Sequence, residues 1–381
     1  MSISLSELLI LGQGSDLASE RGVSCSGELP PASDPHLVER AIAARAALGS
    51  RALILGHHYQ RDEVIQFADI TGDSFKLAQS AAAQSEAEFI FFCGVHFMAE
   101  SADILTSSKQ RVILPDLAAG CSMADMATAN QVDQCWKELE RIGVAAKTVP
   151  VTYMNSSAAI KSFTGEHGGT ICTSSNAQKS LEWAFSKAEK VLFLPDQHLG
   201  RNTAVLSLGL SIDDCVLWNP WKPMGGLTED QIKSAKMILW RGHCSVHGRF
   251  TRETVNEVRS RIPDVQVIVH PECQHEVVLA ADVVGSTEKI IQTVSSSPAG
   301  SKWAIGTELN LVSRLAQNNP DKEVVFLDKT VCYCSTMNRI DLPHLVWAME
   351  SVVAGHIVNE IKVDERVAKY SKLALEQMLA L

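Results

Sequence analysis

Three cysteine sites in this sequence follow short apolar runs and keep polar company: Gly120-Cys121-Ser-Met123, Gly242-His-Cys244-Ser-Val-His247 and Cys332-Tyr-Cys334. Three thiolates converging on one point can hold a cluster of iron and sulfide and leave one iron without a protein ligand, an open Lewis-acid position. Spacing this wide also leaves zinc, or no metal, nearly as open. Other short runs end in different chemistry: His57-His58-Tyr59, Asp73-Ser74, His96, Tyr153-Met-Asn155-Ser-Ser, Thr173-Ser174-Ser-Asn176, His270-Pro-Glu272, Gly285-Ser-Thr287 and Gly306-Thr-Glu308. Hydroxyl and amide side chains beside the free N–H groups of a helix start make seats for carboxylate or phosphate. Taken singly, each is as well explained as a helix cap. So many together favour an anion-binding cleft, with His270, Glu272 and Tyr59 as groups able to move protons.

The elements that must carry these residues follow one pattern, a short apolar run, a polar turn and a helical stretch. The runs are Arg51–Gly56, Phe89–Gly94, Val112–Asp116, Val149–Tyr153, Thr170–Thr173, Val191–Pro195, Val265–His270, Asp282–Gly285, Trp303–Gly306 and Val324–Leu327. Unbroken apolar runs alternating with helices imply parallel strands buried on both faces, and ligands of such sheets bind beyond the carboxyl ends of the strands. Similar endings at Leu114-Pro-Asp116, Leu194-Pro-Asp196 and Phe326-Leu-Asp328 divide the runs into three groups. The expected fold class is α/β: three α/β/α sandwich domains with short parallel sheets, in a pseudo-threefold arrangement. The domains would be 37–118 with C-terminal helices 340–381, then 119–242 and 243–339, after an extension over 1–36. A TIM barrel, usually near 250 residues, would need large insertions. From Leu342 onward, Leu345, Val346, Met349, Val352, Val353, Ile357 and Ile361 fall at helical spacing.

Composition narrows the classes. The 381 residues are 46% hydrophobic and 20% charged, enough for a sizeable core, with 34 basic against 44 acidic residues and a formal charge of −10. That acidic balance argues against a general nucleic-acid binder. No apolar run reaches the roughly 18 residues of a membrane span. Leu5–Leu11 carries Glu7 and has no basic stretch before it, so it does not read as a signal peptide, and a cytoplasmic protein is expected. Ten scattered cysteines without CxxC spacing suit reduced thiols, some holding metal, better than a disulfide framework.

The ordered set Gly56-His-His-Tyr-Gln60, Gly72-Asp-Ser74, Gly120-Cys-Ser-Met-Ala-Asp-Met126, Tyr153-Met-Asn-Ser-Ser-Ala158, Cys172-Thr-Ser-Ser-Asn-Ala177, Cys244-Ser-Val-His247, His270-Pro-Glu272 and Gly285-Ser-Thr287 resembles the quinolinate synthase family, over about residues 40 to 350. The resemblance implies three α/β/α domains around a central [4Fe–4S] cluster and an enzyme of NAD biosynthesis. That family condenses iminoaspartate with dihydroxyacetone phosphate to quinolinate, with loss of phosphate and two waters. By motif, it implies Cys121, Cys244 and Cys334 as cluster ligands and His57, Ser74, Tyr153, Asn155, Ser174, His270, Glu272 and Thr287 as substrate contacts. Tyr59, Glu272 and His270 take the catalytic roles, with Tyr59 and Glu272 favoured for proton transfer. Small-molecule substrates are then the partners, and L-aspartate oxidase a transient one that supplies the imine; nucleic acid and membrane are not. The sequence departs from the family at Cys334-Ser-Thr-Met337, which lacks the usual proline after the cysteine, and Cys332 is the alternative third ligand.

Two other classes compete. A zinc hydrolase or deaminase would use His57, His96 and His270, but no HExxH or paired CxxC supports it. A binding protein closing on small anions would need export. Gly12-Gln-Gly14 lacks the third glycine of a dinucleotide site and follows no convincing strand.

Overall fold

The computed structural model describes residues 29–330 and 333–381. Three sheets, mostly parallel and flanked by helices, make up the fold. The first contains β1 (Ala52–His57), β2 (Ile70–Gly72), β3 (Phe89–Cys93) and β4 (Arg111–Ile113), in the order β2-β1-β3-β4, with antiparallel Glu360–Ile361 beyond β4. The second holds β5 (Thr148–Tyr153), β6 (Thr170–Cys172), β7 (Lys190–Leu194), β8 (Cys215–Trp218) and β9 (Met237–Trp240), in the order β6-β5-β7-β9-β8. The third has β10 (Gln266–Val269), β11 (Val283–Val284), β12 (Lys302–Gly306) and β13 (Glu323–Phe326), in the order β11-β10-β12-β13. Central strands such as β1, β3 and β7 are buried at every position, which is why they read as continuous apolar runs rather than alternating ones.

One plan recurs in all three: an edge strand, the first strand, a third and then a fourth. The recurrence extends to single residues. Asp69 lies fifteen positions after Ile54, donates its N–H to Ile54 O at 2.8 Å and accepts the Ile54 N–H with Oδ2 at 2.8 Å. Asp282 treats Val267 the same way, at 2.7 Å and the same separation. An arginine from the preceding helix anchors each aspartate, Arg45 on Asp69 and Arg259 on Asp282.

The chain forms two compact units. The first comprises the described residues up to Cys121 with Cys334–Lys362 and holds the first sheet; the second comprises Ser122–Tyr333 with Val363–Leu381 and holds the other two. Of the expected extension, residues 1–28 lie outside the described residues, and the first helix among the described residues begins at Leu37. Two expectations about the C-terminal region need correction. The helix from Leu342 stops at Val353 because Gly355, at φ +86°, takes a left-handed conformation, and Ile361 belongs to a strand. Helix Glu365–Leu379 packs not with the first sheet but on helix Ala158–Glu166 in the second unit. There the Ser371 hydroxyl donates to Ala158 O at 2.8 Å. Strands β2 and β8 and the Glu360–Ile361 pair were not visible as apolar runs, being short and only partly buried. Among the described residues no helix is long and apolar enough to cross a membrane.

Gly165 is the close-packing point of that last helix, since a Cβ there would lie 2.0 Å from the Tyr370 carbonyl oxygen. Backbone cannot swing away as a side chain can. Gly165→Ala is therefore expected to lower stability by about 1–3 kcal/mol in urea unfolding; an unchanged midpoint would show that the helix docks elsewhere.

Candidate functional site

In each sheet the loop after the first strand and the start of the helix after its edge neighbour meet at the same end. His57 is the last residue of β1 and pairs with Gly72, two residues before Ser74. Tyr153 ends β5 and pairs with Cys172, two residues before Ser174. His270 follows β10, and Gly285, two residues before Thr287, bonds to Val269 O. The structure thus sets His57, Tyr59 and Ser74 in one sheet, Tyr153, Asn155 and Ser174 in the next, and His270, Glu272 and Thr287 in the third, at matching positions. The likeness is closest between the first and third sets. Tyr59 N–H donates to His57 Nδ1 at 3.2 Å, and Glu272 N–H donates to His270 Nδ1 at 3.3 Å. Each imidazole therefore uses its Nδ1 lone pair locally and carries its proton on Nε2.

The three cysteines hold equivalent positions in their sheets: Cys121, Cys244 and Cys334 each follow the strand in fourth place across the sheet, β4, β9 and β13. All three are half-buried. In the second unit, Gly242 makes a parallel bridge with Asp196 and its carbonyl accepts the Gln197 N–H at 3.0 Å. A Cβ at Gly242 would lie 2.2 Å from Pro195 O, so only glycine lets this loop approach β7. In the first unit, buried Asp116 accepts from Ala118 N–H at 2.9 Å and from Arg339 Nε at 2.9 Å, tying the Cys121 loop to the Cys334 segment. Gln60 donates to Met337 O at 3.2 Å, which joins the His57–Tyr59 turn to the same segment. The Cys334 carbonyl accepts both the backbone and side-chain N–H of Asn338 at 3.0 Å. Cys332 lies outside the described residues.

At the centre of the second unit is a buried polar chain. The Tyr153 hydroxyl donates to Glu272 Oε1 at 2.6 Å, and His247 Nδ1 donates to Glu272 Oε2 at 3.1 Å. His247 Nε2 meets the Thr307 hydroxyl at 3.2 Å, and its ring stacks on His270 with centroids 4.5 Å apart. Burial alone would raise the Glu272 carboxyl. The His247 and His270 imidazoles and the hydrogen bonds from His247 and Tyr153 outweigh it and hold the group below the ordinary carboxylate range. Asp196, fully buried, goes the opposite way: burial and then the Glu272 charge push it well up, against the Leu199 N–H that its Oδ1 accepts at 2.6 Å. Burial, then the neighbouring His58, pushes His57 down to about 3. Burial, then His247, does the same to His270 against the opposing pull of Glu272. Both are neutral Nε2–H donors at pH 7.

Among the described residues, Cys244 Sγ, a His247 nitrogen and a Glu272 oxygen lie within 4.8 Å of one another. Among the described residues, the remaining thiols suit metal poorly. Burial pushes Cys93 up to about 12 and raises Cys135, Cys172 and Cys273, while half-buried Cys215 is raised to about 11. Such thiols stay protonated, whereas a metal needs thiolate. The loop cysteines, half-exposed soft donors, have the chemistry to hold a metal. Ser174 lines a cavity of about 220 Å³ with Gln178, Ser207 and Gly285. Neither His247 nor Thr307 was singled out as a functional residue from sequence, although both stand in the quoted stretches Cys244-Ser-Val-His247 and Gly306-Thr-Glu308. A histidine three residues after a cysteine, on one turn, was the available signal.

The sequence profile of the quinolinate synthetase A proteins matches residues 40–380. The chain belongs to that family. It is 69% identical to a quinolinate synthase of Streptomyces coelicolor, across 98% of this chain and 95% of that protein. It is 67% identical to one of a Nocardioides species, across 100% and 98%. A quinolinate synthase of Acidobacterium capsulatum is 55% identical, across 91% and 93%. These family members carry the name of an enzyme.

Neutral buried imidazoles make stability depend on pH. Between an unfolded pKa of about 6.5 and the folded value of about 3, the unfolded chain binds protons that folded His57 and His270 refuse. Their contribution is complete above pH 6.5 and drains away as pH falls toward 3. Metal-stripped protein is expected to lose thermal stability steadily from pH 7 to 5, with a flatter profile in the His57→Gln/His270→Gln double variant. A midpoint that does not move over that range would mean these rings are charged in the fold.

Proposed function

We propose that this chain makes quinolinate for NAD biosynthesis by condensing iminoaspartate with dihydroxyacetone phosphate. Carbon, nitrogen and phosphorus are conserved when one phosphate and two waters leave. Both substrates are anionic, one with two carboxylates and one with a phosphate, which suits the hydroxyl and amide groups of Ser74, Asn155, Ser174 and Thr287. Neutral His57 and His270 offer N–H donors without adding a charge to compete for those anions.

The observation that carries the proposal is the buried chain from Tyr153 through Glu272 to His247, with the Cys244 thiol beside it. Making a pyridine ring from these pieces needs isomerisation, imine formation and dehydrations, all proton transfers. Glu272, kept ionised, accepts a proton; Tyr153 and His247 fix both carboxylate oxygens so that it presents one geometry. Tyr59, edge-on to His57 at 4.8 Å between ring centroids, is the second proton carrier. Cys121, Cys244 and Cys334 would hold a [4Fe–4S] cluster, which when bound supplies a Lewis-acidic iron open to substrate oxygens. The unstable imine would come from L-aspartate oxidase, by diffusion or in a transient contact, in the cytoplasm.

Anaerobically prepared protein should form quinolinate from dihydroxyacetone phosphate and freshly generated iminoaspartate. Cys121→Ala, Cys244→Ala and Cys334→Ala should abolish product and lower iron and sulfide content, while Cys332→Ala keeps both. Glu272→Gln should retain iron yet lose activity by at least about 100-fold. Zinc in place of iron and sulfide, or no product from iron-loaded wild type, would overturn the reading.

A further inference from the structure

We infer that Asn202 is a positioning residue that holds Glu272 in its working geometry. Asn202 closes helix Gln197–Asn202, which follows β7, and is only 3% exposed. Its side chain reaches the turn after β10, in the neighbouring sheet of the same unit. Both amide hydrogens are used there: Nδ2 donates to Pro271 O at 2.8 Å and to Cys273 O at 2.9 Å. The amide oxygen accepts the His275 Nδ1–H at 2.7 Å. Two carbonyl oxygens can be met only by an NH2 group, so the orientation of this amide follows from its partners. The two carbonyls flank Glu272 in sequence. Within the turn itself, Cys273 N–H donates to His270 O at 3.0 Å and Glu272 N–H to the His270 ring.

The other end of the same helix faces the metal-ligand loop. Gln197 N–H donates to Gly242 O, two residues before Cys244, and Asp196 caps the helix. One six-residue helix therefore grips the Cys244 loop at its start and the Glu272 turn at its end. No other side chain bonds to both sides of Glu272 among the described hydrogen bonds. An aspartate at 202 keeps the size but sets oxygen against two carbonyls; an alanine takes the side-chain donor from two buried carbonyls and the acceptor from the half-buried His275 ring.

This inference rests on Glu272 acting as the proton carrier. The test compares iron-reconstituted wild type, Asn202→Ala and Asn202→Asp by steady-state kinetics, iron and sulfide content, and deuterium exchange of segment 270–276. Both variants are expected to keep their iron and to exchange that segment faster. Their kcat should fall about 100-fold, the effect of a displacement near 1 Å at a catalytic group, with KM for dihydroxyacetone phosphate changed less than about threefold. Faster exchange with unchanged kcat would reduce Asn202 to a structural tie, and a raised KM with unchanged kcat would make it a wall of the neighbouring cavity; either overturns the inference. If the alanine variant does not fold, the isosteric aspartate decides. If wild type makes no quinolinate, the proposed function fails by itself, and exchange of 270–276 still reads the clamp: unchanged in the variants, it is refuted.

Discussion

Parallel strands finish on the same edge of their sheet, and everything chemical in this protein follows from that constraint. A chain that must return by a helix after every strand leaves its turns at one end and its connections at the other. Each sheet thus offers, at one edge, a turn after its first strand, a helix start after its edge strand and a loop after its fourth. The same three positions receive a ring or acid, a hydroxyl and a cysteine in each sheet. The aspartates that lock the edge strands, Asp69 and Asp282, keep these positions in step by fixing register to the central strand.

Burial of Glu272 is the second governing fact. A carboxylate out of reach of water must be met by donors or take up a proton. Here each oxygen has its own donor, from two different strand ends, so the charge is retained and its direction is fixed. Asp196 shows the opposite drift nearby: burial and the Glu272 charge push its carboxyl well up. Two neighbouring acids pushed in opposite directions are characteristic of sites where protons are moved.

Much of the architecture was legible in the residues. The central strands announced themselves as apolar runs because both faces are covered, and the quoted polar residues do stand just beyond them. What stayed hidden has physical reasons. Strands β2 and β8 are short and partly exposed, so they lack that signal. The apolar period that begins at Leu342 continues through Ile357 and Ile361, and only the backbone of Gly355 reveals the break. An amphipathic helix such as Glu365–Leu379 declares that it has an apolar face, not which sheet will cover it. His247, Thr307 and Asn202 act through partners 25, 60 and 69 or more residues away, and no local pattern encodes a hydrogen bond across such a distance.

The way the chain shares its last residues has a consequence for its birth. The first unit needs Cys334–Lys362, whose helix Leu342–Val353 docks on Leu37–Leu48 through Arg40 and Glu350, and the second needs the helix that follows. Translation delivers the N-terminal sheets first. Neither unit can close before these segments have been made. Nascent chains therefore carry open apolar faces up to that point, and it is at that stage that chaperones have the most to shield.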